Sequence, residues 1–228
     1  MSLLSELFNR KSLIENPKSG LYHFVKEDEH EKSRIHLRLD EDGTGTLIVN
    51  ASSVMHLNPT AAFMAWMILE EKQEQEIISS LKKQYRVHTS QATEDLSAFR
   101  FQLSELLRPD GTCPVHDLDL DTVMPFSARP SAPYRMDLAV TYRCNNDCAH
   151  CYNARERDFP ELTTDQWKSV LDQMWDLGVP HIIFTGGEAT LRNDLPELIK
   201  HAENNGQITG LNTNARRLMD MDYVKQLV

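Results

Sequence analysis

The stretch Thr141-Tyr-Arg-Cys-Asn-Asn-Asp-Cys-Ala-His-Cys-Tyr152 carries three cysteines at C-x-x-x-C-x-x-C spacing, namely Cys144, Cys148 and Cys151. Three thiolates on one short loop can hold three irons of a cubane iron–sulfur cluster, whereas most such clusters take four cysteines. The fourth cysteine of the chain, Cys113, lies in a different segment. We therefore expect one iron to keep an open position, as metal ions do in catalytic sites.

Zinc and a disulfide are the alternative uses of these cysteines. A structural zinc site normally takes four ligands, with a second closely spaced cysteine pair further along. No second pair exists here, although His150 is a fourth ligand on paper. A disulfide is disfavoured because cysteines this close on one loop do not bridge without strain, and nothing marks the chain as secreted. The cluster is the favoured interpretation.

Strand-like and helix-like segments alternate from this loop onward. Thr163 and Gln166 have the spacing of a capping box, and an apolar face follows them at helical intervals until Gly178 and Pro180. The pattern predicts strands at 136–141, 181–185 and 208–211, and helices after 163, at 194–204 and from Met221. Such alternation is typical of a parallel sheet with right-handed crossovers.

Polar motifs follow each predicted strand. They are the cysteine loop, Gly186-Gly187-Glu188, and Asn212-Thr-Asn214. Parallel sheets and βα barrels place their chemistry at this carboxyl edge of the strands. For Asn212 and Asn214 simple turn formation is an equal alternative, because asparagine tolerates left-handed backbone angles.

The region from about Arg135 to Val228 resembles the radical S-adenosylmethionine (SAM) superfamily. The cysteine loop matches in full, with His150 where the family usually has an aromatic residue, and Gly-Gly-Glu follows one βα unit later. The resemblance implies a (β/α) barrel of six βα units. Only three are present, so we expect a partial barrel in a fragment that is inactive alone.

The resemblance also implies the cofactors and the roles of residues. A 4Fe-4S cluster held by the three cysteines would bind SAM at its open iron and split it reductively, which gives a 5′-deoxyadenosyl radical that takes a hydrogen atom from substrate. Gly186 and Gly187 would let the backbone approach the methionyl group of SAM, and Glu188 would accept from its ammonium. The other residues assigned to the cofactor pocket are His150, Tyr152, Thr185, Asn212 and Asn214.

The first half of the chain predicts a separate α+β, winged-helix-like unit. Short strands are expected at 34–40, 46–49 and 54–57, and helices at 74–84 and 92–107. Another helix precedes these two, with Asn58 as its N-cap and Pro59 at its first position. The predicted organisation is an unassigned extension (1–30), this unit (31–108), a Pro-rich linker containing Cys113 (109–134) and the barrel region (135–228).

This unit resembles the small D protein of pyrroloquinoline quinone (PQQ) synthesis and, more broadly, recognition elements for ribosomally made, post-translationally modified peptides. The resemblance rests on Leu57-Asn-Pro-Thr-Ala-Ala62, with Trp66, Ile77 and Leu81. It implies that a precursor-peptide leader adds as a strand at Ser52–Leu57, beside the helix at 92–107. We expect Leu96, Phe99 and Leu103 to line the groove. Alternatively, the unit only packs on its own barrel.

Charge and hydropathy limit the remaining possibilities. The 24 Lys and Arg against 34 Asp and Glu give a net charge of −10, which argues against nucleic-acid binding by the winged-helix-like unit. No apolar stretch is long enough to span a bilayer, so no membrane is expected. An oxygen-sensitive cluster favours the cytoplasm and needs an electron donor such as flavodoxin or ferredoxin.

Together these features favour a radical SAM enzyme that modifies a ribosomally made precursor peptide. One alternative is a radical SAM enzyme acting on a small molecule in cofactor biosynthesis. The other is a non-catalytic peptide-binding adaptor, which the intact cysteines and Gly186-Gly187-Glu188 disfavour.

Overall fold

The computed structural model describes residues 17–27, 32–107, 130–153 and 160–227. Most of the expected linker, together with Cys113, lies outside the described residues, as does the middle of the charged run Lys26–Lys32. The described residues form two hydrophobic cores, one on each side of the linker.

The N-terminal unit is a four-stranded antiparallel sheet followed by three helices. The strands are β1 (Gly20–Glu27), β2 (Lys32–Leu39), β3 (Gly45–Val49) and β4 (Ser53–Leu57), and they lie side by side in that order. The helices are α1 (Pro59–Leu69), α2 (Glu74–Tyr85) and α3 (Thr89–Leu106). The sequence analysis assigned no structure to β1, and the winged-helix detail is not confirmed. The α+β character is confirmed.

The core of this unit lies between one face of the sheet and the helices. Ile35 and Leu37 of β2 are fully buried there, as the alternation predicts. Asn58 caps α1 by accepting from the Ala61 N–H at 2.9 Å, which confirms the predicted helix start. One expectation is wrong: Leu96, Phe99 and Leu103 are buried in this core, so they line no open groove.

The C-terminal unit is a parallel sheet with helical crossovers, as predicted. Its strands are β5 (Arg135–Thr141), β6 (His181–Gly186) and β7 (Ile208–Leu211), in that order. The helices are α4 (Thr164–Asp176), α5 (Leu195–Asn205) and α6 (Met221–Val224), with short 3-10 turns at Ala189–Leu191 and Arg216–Met219. The capping box of Thr163 and Gln166 is present at the start of α4.

The second face of β2 packs against the C-terminal unit. His36 and Arg38 are buried although they alternate with the core residues. His36 Nε2 donates to the Gly206 carbonyl at 2.7 Å, and Arg38 donates to the Ala132 and Gly178 carbonyls at 2.9 and 3.2 Å. Burial lowers the pKa of His36 to about 4, against the opposing effect of the Gly206 carbonyl, so the imidazole is a neutral donor at pH 7.

Gly206 makes this contact between the two units possible. Its φ is +98°, and an added Cβ would lie 2.9 Å from His23 Nδ1 and 3.0 Å from Trp175 Cη2. Only a residue without a side chain fits both the backbone angle and the space.

We predict that Gly206→Ala destabilises the protein more than Gly43→Ala. Both residues have positive φ, which costs an L-residue about 1–2 kcal/mol. At Gly43 a Cβ would meet only Pro59, at 3.5 Å. Overpacking at Gly206 should add about 1–3 kcal/mol. Urea unfolding followed by circular dichroism measures the difference, and equal losses in the two variants would show that the contact contributes nothing.

Candidate active site

The cysteine loop begins where β5 ends, at the carboxyl edge of the parallel sheet. Cys144 is half-buried, Cys148 and Cys151 are exposed, and all three are free thiols. The Cys151 N–H donates to the Cys148 carbonyl at 3.1 Å, and the Asn146 N–H points to Cys144 Sγ at 3.4 Å. Across the described ranges, no three His, Cys, Asp or Glu side chains converge closely enough to hold a metal ion.

Glu161 closes the base of this loop. Its carboxylate accepts from the Thr141 hydroxyl, and from Arg143 Nε and Nη2 at 3.0 and 3.3 Å. Arg192 adds a contact at 3.4 Å. Burial raises the pKa of Glu161, but these donors outweigh it and hold the pKa below its usual value. The carboxylate therefore joins the two ends of the segment that carries the cysteines, a role that sequence reasoning missed.

Gly186 and Gly187 let the next loop lie directly against the backbone of Thr141–Arg143. A Cβ on Gly186 would lie 2.0 Å from the Thr141 carbonyl oxygen, and one on Gly187 would lie 2.4 Å from that of Arg143. The N–H of Gly187 donates to Thr141 and that of Glu188 to Arg143, both at 2.8 Å. These glycines are therefore required by protein–protein backbone contact, before any cofactor is considered.

The Glu188 carboxylate is buried, with 1% of the residue exposed. Oε1 accepts from the N–H and hydroxyl of Thr190 at 3.0 and 2.6 Å, and from the Thr213 hydroxyl at 2.7 Å. Oε2 accepts from the Asn214 N–H at 2.7 Å. Burial raises its pKa, but these four hydrogen bonds bring the pKa below the ordinary value, so Glu188 is ionised at neutral pH.

The loop after β7 also holds the cysteine loop. Asn214 Nδ2 donates to Asn145 Oδ1 at 2.7 Å, and Arg216 Nη1 donates to the Asn145 carbonyl at 2.9 Å. Asn214 Oδ1 accepts from the Arg216 N–H at 3.1 Å, so both ends of this amide bond to protein. From the other side, Asn153 Nδ2 donates to the Gly186 carbonyl at 2.9 Å. Sequence reasoning did not single out Asn145, Asn153 or Arg216.

The remaining predicted residues are less engaged with this network. His150 and Tyr152 are exposed, Tyr152 to 87%. Thr185 is half-buried on β6, and the Asn212 side chain is exposed while its N–H donates to the Phe184 carbonyl at 2.9 Å. The structure thus joins the three predicted loops chiefly through Gly186, Glu188 and Asn214.

Two sequence families match this chain. Residues 138–228 match the Radical SAM superfamily, and residues 38–106 match coenzyme PQQ synthesis protein D (PqqD). The chain joins a PqqD-like domain to a radical SAM domain. This confirms the resemblance found in the sequence. A radical SAM domain implies an iron–sulfur cluster and SAM, and three free thiols on one loop are a suitable donor set for iron.

Curated relatives match over part of their length. A PqqA peptide cyclase of Bradyrhizobium diazoefficiens is 46% identical over 85 residues, which is 36% of this chain and 22% of the relative. An Fe-coproporphyrin III synthase of Methanosarcina barkeri is 41% identical over 90 residues, which is 39% of this chain and 22% of the relative. The chain thus spans about a fifth of these relatives.

Solved structures share the fold across both domains. Streptococcus suis SuiB bound to its precursor peptide SuiA matches with a TM-score of 0.55 at 20% identity, covering 90% of this chain and 45% of SuiB. SuiB bound to S-adenosylmethionine matches with a TM-score of 0.52 at 23% identity, covering 90% and 44%. Within the part of the chain that the structure describes, no helix is long and apolar enough to cross a membrane.

We predict that Glu188→Gln loosens the loops of the radical SAM domain. The amide would turn an NH₂ group toward donors that now bind a carboxylate, and a buried group left unsatisfied costs about 1–3 kcal/mol. Hydrogen exchange on the cluster-free protein should rise in residues 212–216 and 144–148. Thr213→Val, which removes one of the four donors, is the control and should give a smaller increase. Unchanged exchange in Glu188→Gln would show that the carboxylate does not hold these loops.

Proposed function

We propose that this protein is a radical SAM enzyme that modifies a ribosomally made precursor peptide. The observation that supports this most is the presence of a PqqD-like domain and a radical SAM domain in one chain, packed through the buried face of β2. The name PqqA peptide cyclase, carried by relatives of the radical SAM domain, is in keeping with a peptide substrate.

In this proposal, Cys144, Cys148 and Cys151 hold the 4Fe-4S cluster as thiolates. When bound, the cluster supplies the single electron that cleaves SAM reductively, and the chain positions and shields the cofactors. Cys144 is close to the base fixed by Glu161, and Asn145 is held by Asn214, so the loop starts from a defined position. A pre-positioned loop loses less conformational entropy when it binds iron.

Further residues complete the proposed cofactor pocket. Glu188 Oε2 has one protein donor, and a carboxylate oxygen accepts two, so acceptance from the SAM ammonium stays a prediction. The assignment of His150, Tyr152, Thr185 and Asn212 to the pocket also stays a prediction, and Asn214 would act by holding the cysteine loop. Cytoplasmic location and reduction by flavodoxin or ferredoxin belong to the same proposal.

The proposed leader site is the outer edge of β4. This strand pairs with β3 on one side and ends the order β1-β2-β3-β4, which leaves a row of main-chain groups available to another strand. The leader would add there by β-augmentation. Because Leu96, Phe99 and Leu103 are buried, specificity would come from side chains at the surface beside β4.

A small-molecule substrate is the second candidate. The relative named Fe-coproporphyrin III synthase matches the radical SAM domain nearly as well as the PqqA peptide cyclase does. The PqqD-like domain favours the peptide, since a small molecule needs no strand-binding edge.

We predict that Cys148→Ala removes most of the iron from the full-length protein after anaerobic reconstitution. Thiolate ligands hold these clusters, and two cysteines on the loop do not replace three. Iron and sulfide analysis and the visible absorption measure the loss. Cys113→Ser is the control and should retain the cluster. A Cys148→Ala protein with wild-type iron would contradict the assignment.

We predict that proline at one of two neighbouring β4 positions abolishes leader binding without unfolding the protein. Backbone N–H groups alternate between β3 and the open edge along an antiparallel pair. Of Val54→Pro and Ser53→Pro, one therefore removes a bond to β3 and destabilises the sheet, and the other removes only an edge donor.

Thermal unfolding identifies the variant that keeps its stability. NMR titration with peptides encoded in neighbouring reading frames then measures binding to both that variant and the wild type. If the stable variant binds the leader as well as the wild type, β4 is not the site. If no such peptide shifts β4 resonances in the wild type, the small-molecule function becomes the better explanation.

A further inference from the structure

β2 crosses the amino edge of the parallel sheet, opposite the cysteine loop. Alternate residues of β2 bond to the segments that precede successive parallel strands. Arg38 donates to Ala132 and Gly178, which precede β5 and β6. His36 and Arg34 bond to Gly206 and Gln207, which directly precede β7. The face of the N-terminal sheet therefore covers the amino ends of all three strands.

β4 is attached to the same edge. The Tyr134 hydroxyl lies 3.2 Å from Nε2 of His56 on β4, and the Arg38 guanidinium lies 5.4 Å from the centre of the Tyr134 ring. Tyr134 directly precedes β5, so β4 lies beneath the first residue of that strand. Because the sheet meets this edge with its face, β4 stays at this level along its length.

The cysteine loop lies at the other end of β5. The strand has seven residues, and parallel strands rise about 3.3 Å per residue, so roughly 20 Å separate the two ends. The loops that carry Gly186, Glu188 and Asn214 follow β6 and β7 at this same carboxyl edge. A leader on β4 and a residue reacting at the cysteine loop are therefore separated by at least the length of β5.

We propose that the substrate of this protein is a precursor peptide in which a spacer of at least about seven residues separates the leader strand from the modified residue. This inference rests on the proposed function. An extended chain spans at most about 3.3–3.6 Å per residue, so fewer than about six residues cannot cover 20 Å. A flexible spacer of about 13 residues has a root-mean-square length that matches the span.

The expected dependence on spacer length is steep at the short end. A tether that cannot span two sites gives an effective concentration near zero, and one whose average length matches the span gives the maximum. Leader affinity should not change with spacer length, because β4 contacts only the leader.

The test uses the full-length reconstituted protein and the neighbouring-frame peptide that binds β4. The peptide is synthesised with Gly-Ser spacers of 3, 7, 13 and 20 residues, together with a core peptide that lacks the leader. Mass spectrometry follows modification, and NMR titration follows leader binding. The 3-residue peptide should react no faster than the leaderless core, and the 13-residue peptide should react fastest, while all leaders bind equally. Equal rates for the 3- and 13-residue peptides would overturn the proposal.

A second measurement tests the geometry without turnover. A nitroxide on Ser52→Cys, in a Cys113→Ser background, marks the start of β4, and pulsed electron paramagnetic resonance gives its distance from the reduced cluster. A distance of about 20 Å or more supports the spacer requirement, and one below about 12 Å overturns it. Leaders that bind without modification at any length, combined with the long distance, would contradict the proposed catalysis and leave the geometry intact.

Discussion

Backbone contact between two loops determines the arrangement of the whole carboxyl edge. The N–H groups of Gly187 and Glu188 donate to the carbonyls of Thr141 and Arg143, and a Cβ on either glycine would overlap those carbonyl oxygens. This contact fixes where the cysteine loop begins. It also directs Glu188 into the interior, where the carboxylate holds the loop after β7. The relative positions of all three loops thus follow from two residues that have no side chain.

The contact between the two domains is polar for a reason that lies in the helices. Helix α4 ends in a Schellman arrangement, with the Val179 N–H bonded to Met174 and that of Gly178 to Trp175. The last carbonyls of a helix lack intrahelical partners and carry partial negative charge. Arg38 donates to the carbonyl of Gly178, after α4, and His36 to that of Gly206, at the end of α5. The N-terminal sheet therefore supplies the hydrogen bonds that these helix ends need.

Local signals in the sequence predicted much of this fold. The capping box at Thr163 and the helix stop at Gly178 give the limits of α4, and the apolar run at 208–211 gives β7. β1 carries apolar residues without flanking turn signals, and it is a strand because β2 pairs with it. Apolar spacing also located the buried face of α3 and could not tell a covered face from an open groove, which explains the error over Phe99.

The site was predictable where the chemistry needs a motif and unpredictable where it needs a single partner. Three cysteines at fixed spacing are recognisable in any sequence, and so is Gly-Gly-Glu after a strand. Glu161, Asn145 and Arg216 belong to no motif, and each contributes through one or two bonds to a loop distant in sequence. Only the folded chain shows those partners. The same is true of His36 and Arg38, whose alternation with apolar residues predicts an exposed face.

The N-terminal sheet can contact the radical SAM domain and still keep an edge for a peptide because the two uses need different directions. Side chains stand perpendicular to a sheet, whereas the hydrogen-bonding groups of an edge strand lie in its plane. The buried contact uses the perpendicular direction, through Arg34, His36 and Arg38. The edge of β4 remains in the plane, at the end of the strand order. Changes at the leader-binding edge therefore need not disturb the face that holds the domains together.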